Sequence, residues 1–527
     1  MLMRGEMHAP SLAGHLQRWA ERTPDREAVI DGQARLSYRQ LAEAVEQCAR
    51  ALIATGVRAG DRVAMLTTPR LEFLLTLLAL HRIGGVWLGL NPRQRLGELR
   101  HIVTDAAPKL LIGIESFEGR DFLADLGELA QSSDLLHAPV IIRGEEPTLD
   151  FLAALGGREV HDDELVQAAA ALAPASPSCI VYTSGSTGEP KGAVLCHYGQ
   201  LRAYRQWLSY LGTQRYRTVC DLPVDHIGGI APIFLSLMSG GAVVFQRRFD
   251  PRALLECIQT ERITVWSGEL TQWIKCAPLL DRYELSSLQA IGYGGGPPPR
   301  DLLERYAKIV PRIFSGYGMT ETSDAIMFTD PGTPVDVLCD HNVGRPLEGV
   351  LTRLVSPTGE WVGKEGTGEL EVRSSSVFLE YSSQPEATTA AFSADGWLRT
   401  GDIMRERPDG TFDFLGRADH TYKSGGYNIY PREIEYVLEA HPAVSSAAVV
   451  GVPDAVFQAV GYAFVEPAAD QGAPTVDELR AHCMACLANY KVPKMIELLE
   501  ALPKLRNEKV DRLLLQARAR QATERRR

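Results

Sequence analysis

Short apolar runs of strand length alternate with stretches of helical periodicity along this 527-residue chain. That alternation limits its fold more than any other feature. Ser37 reads as a helix N-cap, and Leu41, Val45, Cys48 and Leu52 recur at helical spacing until Gly56 stops the helix. Residues 62–66 follow as a short buried strand. LLIGI (110–114), PVIIR (139–143), CIVYT (179–183) and AVVF (242–245) are further strand-like runs, separated by helical stretches. The pattern predicts an α/β fold, with a large N-terminal domain of layered, largely parallel sheets. From about residue 418 a smaller α+β domain is expected. Residues 431–440 are helical, 444–452 and 461–467 are strands, and Thr475 with Glu478 forms a capping box for the next helix. The boundary falls near GRADH (416–420), dividing the chain into 1–417 and 418–527. Residues 144–178, rich in Glu, Asp, Ala and Pro, read as a loosely ordered connection.

The length calls for more than one folding unit at roughly 100–200 residues per domain. A formal charge of −11 argues against a nucleic-acid partner, because phosphate backbones select basic surfaces. The most apolar stretch, 71–90, is interrupted by Glu72, His81, Arg82, Gly84 and Gly85, so it predicts a buried helix running into a strand and no transmembrane segment. At the N-terminus Arg4, Glu6 and His8 are followed by no apolar core of a signal peptide. Nine scattered cysteines fit a reducing compartment, and a cytoplasmic location is expected. Cys483 and Cys486 form a lone CxxC on a helical pattern, which suits core packing better than metal binding. The basic end (Arg518, Arg520, Arg525, Arg526, Arg527) reads as a solvated, fraying helix.

The stretch YTSGSTGEPKG at 182–192 carries the most chemistry. It emerges from the apolar strand CIV as a loop at a strand end, where open α/β sheets bind ligands. Thr183, Ser184, Ser186 and Thr187 offer hydroxyls, Gly185 and Gly188 let backbone N–H groups approach phosphate oxygens, and Lys191 adds a cation. It is not a Walker loop, because Pro190 precedes Lys191 and Gly192 follows it.

This loop resembles the phosphate loop of the adenylate-forming superfamily, which includes acyl-CoA synthetases and the adenylation domains of peptide synthetases. YGMTE (317–321), TGEL (367–370), DGWLRTGD (395–402), GRADHTYKSGG (416–426) and LPKLRNEKVDR (502–512) follow in the superfamily's order, so the resemblance covers nearly the whole chain. It implies a carboxylic acid–CoA ligase. Such an enzyme uses ATP and Mg²⁺ to make an acyl-AMP with release of pyrophosphate, then passes the acyl group to CoA. By the same resemblance Asp402 holds the ribose hydroxyls with help from Arg417. Tyr317 stacks on adenine, and Gly294, Gly295 and Gly296 line the other side of the ring. Thr320 and Glu321 contact the phosphates, and Glu321 the Mg²⁺, a hard cation that needs few carboxylates beside phosphate oxygens. Lys509 matches the catalytic lysine, although Glu508 stands where the superfamily usually has Gly. Asp419 matches the hinge of a mobile small domain, whose rotation would bring Lys423 and the rest of KSGGY toward the site. His226, in LPVDHIGG, matches a position near the acyl carboxylate and thiol tunnel, as a general base or as a gate.

Two other readings stay open. The acyl group could go to an acyl carrier protein's phosphopantetheine, or the chain could be an inert acyl- or ATP-binding relative. Amino-acid-activating relatives carry an Asp in an FDAS-like segment, which DLPVDHIGG does not match, so a non-amino acid is favoured. Pocket walls are expected around 226–230, 266–270, 292–296 and 316–324. Trp266 and Tyr293 there suit a medium-chain, alicyclic or aryl acid.

Overall fold

A computed structural model describes residues 11–155, 159–183, 190–212, 215–294, 298–424, 427–454, 456–469, 472–505 and 509–524. The chain forms two compact units. The first comprises Met1–Leu351 and Val372–Leu398, the second Thr352–Glu371 and Arg399–Arg527.

Beside a small two-stranded sheet, Ser116–Phe117 with Arg120–Asp121, two large sheets build most of the first unit. One has the strand order Glu380–Tyr381, Lys191–Cys196, Pro177–Thr183, Val86–Leu90, Arg62–Leu66, Leu110–Ile114 and Val140–Ile142. Its strands from Pro177–Thr183 to Val140–Ile142 are parallel, whereas Lys191–Cys196 returns antiparallel beside Pro177–Thr183. In the other, Ile313–Met319, Ala290–Tyr293, Val265–Ser267, Arg217–Cys220, Ala242–Phe245 and Glu27–Asp31 run parallel as consecutive neighbours. The expected α/β layering is present.

Local chemistry accounts for the elements that frame these sheets. The Ser37 hydroxyl accepts from Gln40 N at 3.3 Å while Ser37 N donates to Gln40 Oε1 at 2.9 Å, and helix Tyr38–Thr55 ends at Gly56 with φ 106°. Residues 71–90 form helix Leu71–Ile83 and strand Val86–Leu90. Glu72 is tolerated there at zero exposure because Arg70 donates to both its oxygens, at 2.8 and 2.9 Å. Among the described residues no helix is long and apolar enough to cross a membrane.

Three sequence expectations need correction. Residues 144–178 are not merely a loose connection, since they contain a 3₁₀ turn, Asp150–Leu155, and helix Asp162–Ala170. Phe151, Leu155 and Leu165 bury against the main core, and these few apolar anchors outweigh the acidic composition. The terminal helix Arg512–Glu524 is not solvated all round: Leu515 and Ala519 pack against Val450, Val452 and Phe464. Of the CxxC pair, Cys483 is in the core but Cys486 is exposed.

The second unit combines the strand run Leu351–Val355, Thr367–Arg373, Leu398–Glu406 and Phe412–Arg417 with a second sheet. In that second sheet Val444–Asp454 and Gln458–Pro467 pair antiparallel, and Met495–Leu498 lies parallel to Gln458–Pro467. Thr352–Glu371 belongs here because its strands run beside Leu398–Glu406. Thr475 and Glu478 form the expected box, with bonds of 2.7 and 3.2 Å.

Glu435, at zero exposure, ties this unit together. It accepts from Arg512 at 2.7 Å, from Arg432 at 3.2 Å and from Val449 N at 2.8 Å, joining helix Pro431–Glu439, strand Val444–Asp454 and helix Arg512–Glu524. Burial alone would raise its pKa, but Arg512 and Arg432 hold it below the usual carboxylate range. A depressed folded pKa stabilises above the unfolded value of about 4.3 and is lost as pH falls through the folded one. Glu435→Gln should therefore lower this unit's stability by about 3–5 kcal/mol at neutral pH. The check is faster hydrogen exchange of the Val449 amide, with the gap to wild type narrowing in acid.

Candidate active site

The loop after residue 182 grows from the parallel strand Pro177–Thr183 and returns as Lys191–Cys196, with Thr183 directly opposite Lys191. Its two ends are thus fixed by sheet register. Gly192 is required by close approach, because a Cβ there would lie 2.7 Å from the Tyr182 ring. The Tyr182 hydroxyl is in turn hydrogen-bonded to Asp105. Ser184, Gly185, Ser186, Thr187 and Gly188 lie outside the described residues, as do Gly295, Gly296 and Glu508. Gly294 is described, and a Cβ on it would sit 3.4 Å from Gly316 O, close against the strand that carries Tyr317.

Strand Ile313–Met319 delivers the buried Tyr317 and runs into a 3₁₀ turn, Thr320–Thr322. The chain reverses at Ser323 (φ 59°) and Asp324 (φ 117°), two adjacent non-glycine residues with positive φ. Such conformations cost on the order of 1–3 kcal/mol each and persist where surroundings over-determine them. Here the surroundings are visible. The Thr322 hydroxyl is 2.7 Å from Asp324 O, and Asp324 accepts from Ala325 N at 2.8 Å and from the Tyr204 hydroxyl at 3.1 Å. Burial pushes the Asp324 carboxyl up to about 6.

That turn holds Thr320 and Glu321 almost wholly out of solvent, at 6% and 5% exposure. Among the described residues the one side-chain partner of Glu321 is the Tyr381 hydroxyl, which donates to Oε1 at 2.7 Å. The Lys191 ammonium lies 5.5 Å from the centre of the same Tyr381 ring. The expected phosphate cation and the expected metal carboxylate thus meet on opposite features of one side chain. Among the described residues no arginine or lysine reaches the Glu321 oxygens, and a sheltered carboxylate that meets only a hydroxyl there fits a divalent cation that brings phosphate oxygens with it. Among the described residues no group of three or more His, Cys, Asp or Glu could hold a metal without such help.

His226 caps helix Ile227–Ser239, its Nδ1 accepting from Gly228 N at 3.2 Å, and its ring is exposed. With Nδ1 accepting, the neutral ring carries its proton on Nε2, so its basic lone pair is already engaged. In the same segment Asp225 accepts from Asn91 at 3.0 Å and Asp221 from Gln272 at 2.9 Å, and burial pushes these carboxyls up to about 6 and about 7. Trp266 and Tyr293 sit on adjacent parallel strands but pack into the core around Trp273, and the Tyr293 hydroxyl bonds Leu338 O at 3.0 Å.

On the second unit Asp402 and Arg417 are cross-strand partners. Arg417 donates to Asp402 Oδ1 and to Thr400 O, both at 2.9 Å, so a buried carboxylate is held in one orientation. Asp419 lies in the 3₁₀ turn Ala418–His420, and Lys423 is exposed on strand Tyr422–Ser424. Lys509 is exposed beside a backbone bridge between Lys504 and Val510, with Leu505 N donating to Lys509 O at 2.7 Å. The expected residues therefore form two sets, Thr183, Lys191, Gly294, Tyr317, Thr320, Glu321 and His226 on one unit and Asp402, Arg417, Asp419, Lys423 and Lys509 on the other. Sequence reasoning missed Tyr381: nothing in its local spacing marks it, and only the pairing of Glu380–Tyr381 with Lys191–Cys196, remote in sequence, brings it to Glu321. Asp221 and Asp324 lie in stretches the sequence singles out, but their partners Gln272 and Tyr204 come from distant helices, Leu270–Cys276 and His197–Leu211.

The AMP-binding enzyme family profile matches residues 16–382, and the AMP-binding enzyme C-terminal domain profile matches 433–509. The chain belongs to the AMP-binding enzyme family. As a member of this adenylate-forming family, it is 34% identical over 492 residues to a feruloyl-CoA synthase from an Amycolatopsis species, covering 92% of this chain and 94% of the relative. It is 31% identical to a 2-succinylbenzoate–CoA ligase from Bacillus licheniformis, over 94% of this chain and 98% of the relative. The solved o-succinylbenzoate CoA synthetase from Bacillus subtilis, in complex with its acyl-adenylate intermediate, superposes with a TM-score of 0.80 at 28% identity, covering 95% and 97% of the two chains.

If His226 acts as a cap and gate, His226→Asn should keep the pH profile of kcat/KM and most activity, since Asn caps well. His226→Ala should lose about 1 kcal/mol of stability. A lost alkaline plateau in the Asn variant would instead mark a general base.

Proposed function

We propose that this enzyme is an AMP-forming carboxylic acid–CoA ligase acting on an aryl acid. The carrying observation is the meeting of Lys191 and Glu321 at Tyr381 beside the loop after residue 182, within a chain whose relatives are CoA ligases. The acid's carboxylate oxygen attacks the α-phosphorus of ATP, pyrophosphate leaves, and acyl-AMP results. The thiol of CoA then attacks the acyl carbon and AMP leaves.

Thr183, the hydroxyls and glycines of 184–188, and Lys191 would cradle the phosphates. Tyr317 and Gly294–Gly296 would enclose adenine, and Asp402, oriented by Arg417, would accept from the ribose hydroxyls. Glu321 would hold Mg²⁺, which supplies charge neutralisation on the phosphates when bound. Lys509 would stabilise charge as pyrophosphate departs. Movement of residues 418–527 about Asp419, exchanging Lys509 for the Lys423 segment, would let one pocket serve both steps. The acid class is supported by the feruloyl and succinylbenzoate relatives, because Trp266 and Tyr293 are engaged in the core. A cytoplasmic setting is part of the same proposal and is supported by nine free thiols.

Pyrophosphate release with a panel of acids tests this reading. Release should depend on the acid, and Lys509→Ala should slow it about 10²–10³-fold. The variant should still convert synthetic acyl-AMP and CoA to thioester at near wild-type rate. No release with any acid would favour an inert relative, and thioester formation only on a carrier protein would favour the other acceptor.

A further inference from the structure

Residues 378–382 lie between two parts of the proposed adenylation site and touch both. Leu379 N donates to Val194 O at 2.8 Å and Ser382 N to Gly192 O at 2.7 Å, stitching the segment to the strand that leaves the phosphate loop. Tyr381 stands opposite Ala193 in that pairing. On the other side Phe378 N donates to Glu321 O at 2.8 Å. The Tyr381 backbone is itself anchored, its N–H donating to Thr388 Oγ1 at 2.9 Å, and its ring packs 4.7 Å from that of Phe378. With backbone and ring both held, the hydroxyl has little freedom in where it points.

We propose that Tyr381 is a positioning residue for adenylation, its hydroxyl orienting the Glu321 carboxylate toward a nucleotide-bound divalent cation while its ring face holds the Lys191 ammonium. This rests on the reading of Glu321 as the metal carboxylate. The hydroxyl occupies Oε1, which turns Oε2 and the remaining lone pairs of the carboxylate to a cation. The ring keeps the ammonium near by its quadrupole rather than by a formal charge. A direct Lys191–Glu321 ion pair would consume both charges, whereas the tyrosine between them leaves each available to the triphosphate and its metal. Groups that orient a metal ligand typically change metal affinity by about 10–100-fold when removed.

The test is calorimetric binding of Mn²⁺ with α,β-methylene-ATP, an analogue that cannot be adenylated, to wild type, Tyr381→Phe, Tyr381→Leu and Glu321→Gln. Tyr381→Phe, which keeps the ring, should weaken Mn²⁺ binding about tenfold while the KM for the acid stays unchanged. Tyr381→Leu, which also frees Lys191, should in addition raise the Kd of the analogue measured without metal. Tyr381→His keeps an N–H donor and should fall between wild type and Phe. It also serves if the Phe variant does not fold. Mn²⁺ binding within twofold of wild type in both the Phe and His variants, with binding lost in Glu321→Gln, would overturn the role of Tyr381 and leave the metal carboxylate standing. Unchanged binding in Glu321→Gln would overturn both.

Discussion

The antiparallel return of Lys191–Cys196 beside Pro177–Thr183, with residues 378–382 laid along its outer edge, is the constraint on which the site depends. Sheet register sets Thr183 opposite Lys191, and the edge segment reaches from that strand to Glu321. Two charged groups more than a hundred residues apart in sequence are thereby held at one tyrosine. Backbone hydrogen bonds do this work, so the charges need not attract each other to be placed. Side chains that must serve a polyanionic ligand benefit from being located in this way, because any pairing between them would have to be broken on binding.

The Glu321 turn shows the local cost of that placement. Ser323 and Asp324 take positive φ without being glycine, and Thr322, Tyr204 and the Ala325 amide hold them there. The strain is stored next to the residues proposed to meet phosphate and metal, where a fixed geometry has most value. The second unit uses a different device. Arg417 fixes Asp402 from across a strand pair, and Arg512, three residues after Lys509, is anchored on the buried Glu435. Lys509 itself is exposed, yet the chain that follows it is firmly tied.

Much of this was legible in the sequence. The Ser37 cap, the Gly56 stop and the Thr475–Glu478 box are local signals, and each forms as its spacing indicates. The strands at 110–114 and 242–245 are apolar runs that can only be buried. Asp402 and Arg417 were linked through the motifs that carry them, and the structure makes them direct partners. What was not legible depends on distant pairing. Tyr381 is unremarkable in its own stretch and gains meaning only from strand Lys191–Cys196 and Glu321. Helix Asp162–Ala170 is hidden by its acidic first turn, because only Leu165 among its residues is buried. Trp266 and Tyr293 looked like pocket walls by position, but their neighbours Trp273 and Tyr306 draw them into the core.

The most direct test of where the nucleotide sits is a crystal structure with α,β-methylene-ATP and Mn²⁺. The expected result is a triphosphate along the loop after residue 182, its phosphates near Lys191, with the anomalous peak of the metal at coordination distance from Glu321. A triphosphate bound elsewhere, or a metal without Glu321 among its ligands, would contradict the proposed site.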